Sequence, residues 1–292
     1  MRNNTLNSQL TEGYEACRQI MQRSGKSYYF ATSLFSDVWM KRSTWALYAF
    51  FRIPDDIVDE QPDKTPEQLT TELELFAQGW RDAFHQEHIS DPKLAAIVNT
   101  FKRTQIPLAE AESFLHSMAM DVHKKRYATY EELEEYMYGS AGVVGYMMAR
   151  VIGFSDPRAL AYAKVLGYAM QLTNFLRDID ADYQELGRIY MPLEELAAYG
   201  LSEQDIAQRR WSPQFQKFME FQIKRAGELY AEGNKCLPLL SREGRFAYQM
   251  ASVLYGRILT KLQQQGCNPF AGRASTSLAE KMWLLVKTKV VG

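Results

Sequence analysis

An all-α fold is the expectation for this chain of 292 residues, and three observations lead to it. Long segments repeat their apolar residues at three-to-four spacing, as one face of a helix requires. Alternating β-branched runs and Asn-Gly hairpin turns do not occur. Short breakers separate the segments: QPDKTPEQ at 61–68, SDPK at 90–93, FSDPR at 154–158, WSPQ at 211–214 and GCNPFAG at 266–272. The spacing predicts helices at 8–23, 37–60, 66–88, 91–103, 108–124, 130–152, 157–185, 213–233, 237–264 and 275–289. With no flexible linker, low-complexity run or fixed-period repeat between them, 1–292 reads as a single domain.

Composition narrows the class of protein. Apolar residues at 46% and aromatics at 13% exclude a disordered chain. With 34 basic against 35 acidic side chains, no overall field points to nucleic acid. Cys17, Cys236 and Cys267 are odd in number and far apart, which fits free thiols in a reducing compartment. MRNNTLNSQLTEGYEA lacks the apolar core of a signal peptide, no run of about 18 apolar residues occurs, and the tail MWLLVKTKVVG is too short to anchor. The expectation is a cytoplasmic protein.

Two of the expected helices carry polar stripes through otherwise apolar surroundings. In YAFFRIPDDIVDE, Tyr48, Arg52, Asp55 and Asp59 fall on one narrow face, between Leu47, Ala49, Phe50, Phe51, Ile53, Ile57 and Val58. Gln171, Asn174, Asp178 and Asp182 do the same among Met170, Leu172, Phe175, Leu176 and Ile179. Each stripe ends in a D-x-x-x-D pair with an arginine within three residues of its first aspartate. Polar stripes in a core are costly unless something satisfies them, and carboxylates one helical turn apart repel. A hard divalent cation removes that repulsion, and magnesium typically joins one or two carboxylates to a substrate's phosphates. Two such helices facing one another would hold magnesium over a diphosphate, with Arg52 and Arg177 on the remaining oxygens and apolar walls for a hydrocarbon tail. A plainer alternative exists for PDDIVDE alone: Pro54 followed by acids is also a helix N-terminus favoured by the dipole. Otherwise Pro54 kinks a continuing helix.

At these residues the chain resembles the squalene/phytoene synthase family of head-to-head prenyl synthases. The resemblance rests on DDIVD at 55–59, DIDAD at 178–182, the run QLTNFLRD at 171–178 continuing to GRIYMP at 187–192, SGKSYYFA at 24–31, YAFFR at 48–52, YMYGSAGVVG at 136–145 and LYGRIL around Tyr255. It covers about residues 20 to 285. Ala181 and Ser140 depart from the usual acid and aliphatic residue. The family implies an all-α isoprenoid-synthase bundle around a central apolar cavity, where two prenyl diphosphates bind with magnesium, or manganese in its place. One substrate ionises, the other's double bond attacks the allylic cation, and a cyclopropylcarbinyl diphosphate forms and rearranges to a hydrocarbon. By motif, Asp55, Asp59, Asn174, Asp178 and Asp182 correspond to the metal-binding set. Ser24, Lys26, Ser27, Arg52 and Arg177 correspond to diphosphate contacts, with Arg188 and Arg273 as weaker candidates. Tyr48, Gln171 and Tyr255 would line the reacting centre.

Phytoene synthase with geranylgeranyl diphosphate is the favoured expectation. Dehydrosqualene or squalene synthase with farnesyl diphosphate is the alternative, and NADPH is not expected for the favoured reaction. Greasy substrates make transient contact with a membrane surface compatible with this chemistry, and oligomeric state is not legible. His85, His88, His116 and His123 show no zinc or di-iron spacing, and a satisfied structural role is expected for His116 and Asp121. No Walker loop, dinucleotide fingerprint or nucleophile elbow occurs.

Overall fold

The computed structural model describes residues 2–61 and 63–291, with the backbone alone at 2–7, 27, 278, 286 and 289–291. Among them an isolated bridge between Arg126 and Ile189 is the one β feature. The helices are α1 Arg2–Ser24, α2 Lys26–Ser33, α3 Val38–Asp59, α4 Pro66–His85, α5 Pro92–Thr104, α6 Leu108–His123, α7 Tyr130–Met137 and α8 Val143–Ile152. They continue as α9 Arg158–Leu186, α10 Leu193–Ala198, α11 Glu203–Ala207, α12 Pro213–Gly233, α13 Arg242–Gln264 and α14 Leu278–Val291. A π-helical turn, Tyr138–Gly142, joins α7 to α8, and a 3-10 turn, Asn234–Leu239, precedes α13. The chain forms two compact units: residues to His123 with Met147–Phe154, and Lys124–Tyr146 with the remainder from Ser155.

In the first unit, α3 begins where Asp37 accepts a hydrogen bond from the Trp39 amide at 2.6 Å. It then runs unbroken through Pro54 to Asp59. This excludes the reading in which Pro54 opens a helix. Asp55, Asp56 and Asp59 therefore stand at the C-terminal end, where the helix dipole is negative and acids are disfavoured. The helix is fixed by Phe50, which meets Trp80 at 4.9 Å, Phe101 at 5.0 Å and Phe114 at 5.7 Å between ring centroids. All four rings are buried. Such pairs each contribute about 0.5–1.5 kcal/mol beyond the area they bury.

In the second unit, α9 is the long central element. It lies close against the 138–145 segment through glycines: a Cβ on Gly167 would stand 2.2 Å from the Ala141 carbonyl oxygen, and one on Gly145 would stand 2.1 Å from that of Ala163. Gly187, in the left-handed region at φ 64°, ends α9 and returns the Arg188 amide to the Asp182 carbonyl at 2.9 Å. The following Ile189 amide donates to Lys125 and the Leu193 amide to Tyr127, at 3.0 and 2.9 Å. Tyr190 thereby stacks on Phe175 with centroids 4.1 Å apart. The GRIYMP run is thus a clamp holding the C-terminal half of α9.

Several boundaries differ from the sequence expectation. SGKSYYFA lies between the expected helices 8–23 and 37–60, yet it breaks only at Gly25 before the eight-residue α2, too short to display a periodicity. Helices α10 and α11 escape for the same reason. The segment from 237 starts as a 3-10 turn, and α13 begins after Ser241, whose hydroxyl caps the Gly244 amide at 3.0 Å.

Backbone contact at Gly167 leaves no room for a side chain, so Gly167→Ala should lower the melting temperature by several degrees. Gly227, exposed within α12 with open space around its Cα, should respond oppositely: Gly227→Ala should stabilise by about 0.5–1 kcal/mol. Thermal melts followed by circular dichroism check both.

Candidate active site

The stripe on α3 brings Tyr48, Arg52, Asp55 and Asp59 into one row. Arg52 donates from Nη1 to Asp55 Oδ2 at 2.9 Å, and also pairs with Asp56 and Glu60. One guanidinium therefore faces three acids, with Asp59 close by and no basic residue in the last turn of the helix. The Asp55 carboxyl is pushed up to about 7, first by burial and then by the Asp59 charge, with Asp56 and Asp121 adding to the effect and Arg52 opposing it. Asp121 on α6 is buried at 5% exposure. Sequence reading gave it a structural role, and the fold also brings it within electrostatic reach of Asp55. The signal available was FLHSMAMD, an acid on the apolar side of a helix.

Ser24 and Lys26 flank the elbow at Gly25, and both side chains are exposed. That of Ser27 lies outside the described residues. The elbow is held against the α3 stripe, because a Cβ on Gly25 would stand 2.6 Å from the Tyr48 ring. Tyr28, at the start of α2, stands 6.3 Å from Tyr48 between ring centroids. The N-terminal turn of α2 thus lies beside Tyr48, with amides suited to an anion.

On α9, Gln171, Asn174, Arg177, Asp178 and Asp182 occupy the C-terminal half of the helix. Asn174 donates to Gln171 Oε1 at 3.3 Å, while its own Oδ1 is buried and accepts no hydrogen bond. Asp178 is neutralised on two sides. Arg177 Nε donates to Oδ1 at 2.9 Å, and Arg273, from the loop between α13 and α14, donates from Nε at 2.8 Å and Nη2 at 3.1 Å. Burial alone would raise this carboxyl; the two guanidinium groups more than offset it and hold it below its usual range. Arg273, a minor candidate from sequence, is therefore a direct partner of the second acid motif. Arg188 is buried and lines a narrow cleft with Asp182, Phe175 and Tyr190. Tyr255 on α13 lies within electrostatic reach of Tyr230, which hydrogen-bonds Thr173 on α9 at 3.0 Å.

These donors suit a hard cation. Asp55 on α3 is crowded enough to hold a proton near neutrality, and Asn174 presents a buried oxygen in need of a partner. Among the described residues no three or more His, Cys, Asp or Glu side chains converge as a self-sufficient metal cage. Pairs of carboxylates are the set magnesium takes when phosphate oxygens complete its shell.

Crowding at Asp55 has a thermodynamic consequence in metal-free buffer. The folded chain keeps a proton there up to about pH 7, whereas the unfolded chain releases it near the ordinary 3.8. Stability from this site is thus complete below 3.8 and lost as pH rises to about 7. Asp55→Asn should melt a few degrees above the parent at pH 8, the difference shrinking as pH falls toward 4. Equal melting temperatures at every pH would show that Asp55 is freely hydrated.

Comparison with known proteins adds an independent finding. The family model for squalene/phytoene synthase matches residues 21–280. The chain is 32% identical over 277 residues to the 15-cis-phytoene synthase of Synechococcus elongatus, spanning 91% of this chain and 88% of that protein. It is 31% identical to that of Synechocystis sp., over 94% and 83%. Among solved structures, a dehydrosqualene synthase in complex with ligand superposes with a TM-score of 0.84 at 29% identity, covering 98% of each chain. Squalene synthase HpnC from Alicyclobacillus acidocaldarius gives 0.81 at 26%, over 89% and 96%.

Proposed function

Since the chain belongs to the squalene/phytoene synthase family, we propose that residues 1–292 act as a single catalytic domain that condenses two geranylgeranyl diphosphates head to head to phytoene. The observation that carries this reading is the similarity to phytoene synthases along nearly the whole chain, with both acid motifs intact. A second reading, dehydrosqualene or squalene synthesis from farnesyl diphosphate, draws on the likeness to the dehydrosqualene synthase structure.

In the proposed reaction, Asp55 and Asp59 on one helix and Asn174, Asp178 and Asp182 on the other would hold magnesium. When bound, the metal would neutralise charge on the departing diphosphate. Arg52, Arg177 and Arg273 exchange carboxylate oxygens for phosphate oxygens of similar planar geometry. Ser24, Lys26 and Ser27 at the α2 N-terminus take further phosphate oxygens. Tyr48, Gln171 and Tyr255 line the reacting carbons, and aromatic faces favour the allylic cation. C1 of the ionised substrate bonds to the other's double bond, and ring closure with loss of one proton gives the cyclopropylcarbinyl diphosphate. Loss of the second diphosphate, rearrangement and loss of a second proton then give the hydrocarbon, with no reductant consumed. No described helix is long and apolar enough to cross a membrane. The proposed setting is a cytoplasmic protein meeting its amphiphilic substrates at a membrane surface.

Incubation with labelled geranylgeranyl or farnesyl diphosphate and magnesium, without NADPH, should yield phytoene from the former and little C30 hydrocarbon from the latter. Dehydrosqualene as the sole product would move the assignment to the second reading, and a need for NADPH would mark squalene formation. Asp178→Asn should cut turnover on the order of a hundredfold or more with little change in helical content. Collapse of the fold in that variant would make the acid structural instead.

A further inference from the structure

Arg273 places two donors on Asp178, 95 positions away in the chain, although its side chain is 66% exposed. A side chain so exposed and so rich in rotamers is not aimed by its own packing. Its backbone is held instead. The loop between α13 and α14 is gripped on either side of Arg273 by two side chains at the end of α13, one helical turn apart. Gln265 donates from Nε2 to the Asn268 carbonyl at 2.8 Å and to the Gly272 carbonyl at 3.2 Å. Lys261 donates from Nζ to the Ser275 carbonyl at 2.5 Å. Carbonyls one residue before and two residues after Arg273 are thereby fixed. Glu280 on α14 accepts from Lys261 at 2.6 Å and from Arg257 at 3.1 Å, which balances the ammonium charge beside the loop. Gly272 adopts φ 125° and ψ 157°, a conformation open to glycine alone, at the turn into Arg273.

We propose that Gln265 and Lys261 are positioning residues for diphosphate binding: gripping the loop on both sides of Arg273, they hold its guanidinium at Asp178, ready to pass from carboxylate to phosphate. Attachment of the loop is already supplied elsewhere. Pro269 and Ala274 are buried, the Asn268 side chain accepts from the Phe270 amide at 2.9 Å, and the Phe270 ring meets Phe215 with centroids 5.2 Å apart. What the two grips add is the placement of the backbone that carries Arg273. Binding groups work only when held within about 0.5 Å of their productive geometry by such partners, and a guanidinium fork is the more demanding because it must meet two oxygens in one plane. Both residues act through Arg273. The inference rests on the proposed use of prenyl diphosphates and assigns what aims one of their arginines.

The test measures binding of inorganic diphosphate to the full chain by calorimetry in magnesium buffer, beside turnover of geranylgeranyl diphosphate. Gln265→Met and Lys261→Met keep the length of each side chain and remove its donors. Each should raise the diphosphate Kd and the KM roughly fivefold, with kcat within about twofold, and Lys261→Arg should recover most of the loss. In an Arg273→Gln background, itself roughly tenfold weaker, neither substitution should add more than about twofold, because the grip then has nothing to aim. Amide hydrogen exchange across 268–277 should quicken in both Met variants. Quickened exchange with unchanged diphosphate affinity would reduce the two residues to loop staples and overturn the proposal. Losses that multiply in full with Arg273→Gln, or a parent that binds no diphosphate, overturn it as well. A parent that binds diphosphate with the non-additive pattern yet yields no hydrocarbon would support the grip and reject the synthase reading.

Discussion

Carboxylates at the negative end of a helix are the constraint on which this molecule turns. Asp55, Asp56, Asp59 and Glu60 close α3, and Asp178, Asp180 and Asp182 lie in the last turns of α9, with no basic residue in the final turn of either. The dipole, mutual repulsion and partial burial all act against placing acids there. A chain selected for stability alone would place those acids at helix N-termini. Rigid apolar surroundings keep them where they are: the Phe50–Trp80–Phe101 cluster fixes α3, and the GRIYMP clamp with the Phe175–Tyr190 stack fixes α9.

The two motifs meet this constraint in opposite ways. On α3 one guanidinium serves three acids, and Asp55 is left holding a proton near neutrality. On α9 two guanidinium groups serve Asp178, which stays ionised. Similar D-x-x-x-D spelling thus conceals a site short of positive charge and a site rich in it. In the proposed reaction a cation would complete the first, and a diphosphate would suit the second, since arginine's planar fork accepts carboxylate and phosphate alike.

Each stripe separates charge from grease within one helix, the arrangement that a molecule with a diphosphate head and a long apolar tail would require.

Sequence determined the helical class, most helix positions and the membership of both stripes, because helical spacing alone decides which residues share a face. Tertiary structure decided what spacing cannot carry. Whether Pro54 begins or interrupts a helix depended on Phe50 being packed into the core ahead of it. Asp121 and Arg273 lie 66 and 95 positions from their partners Asp55 and Asp178, and no local periodicity links such distant residues. Electrostatic character was settled last, because it depends on how many guanidinium groups the fold delivers to each carboxylate.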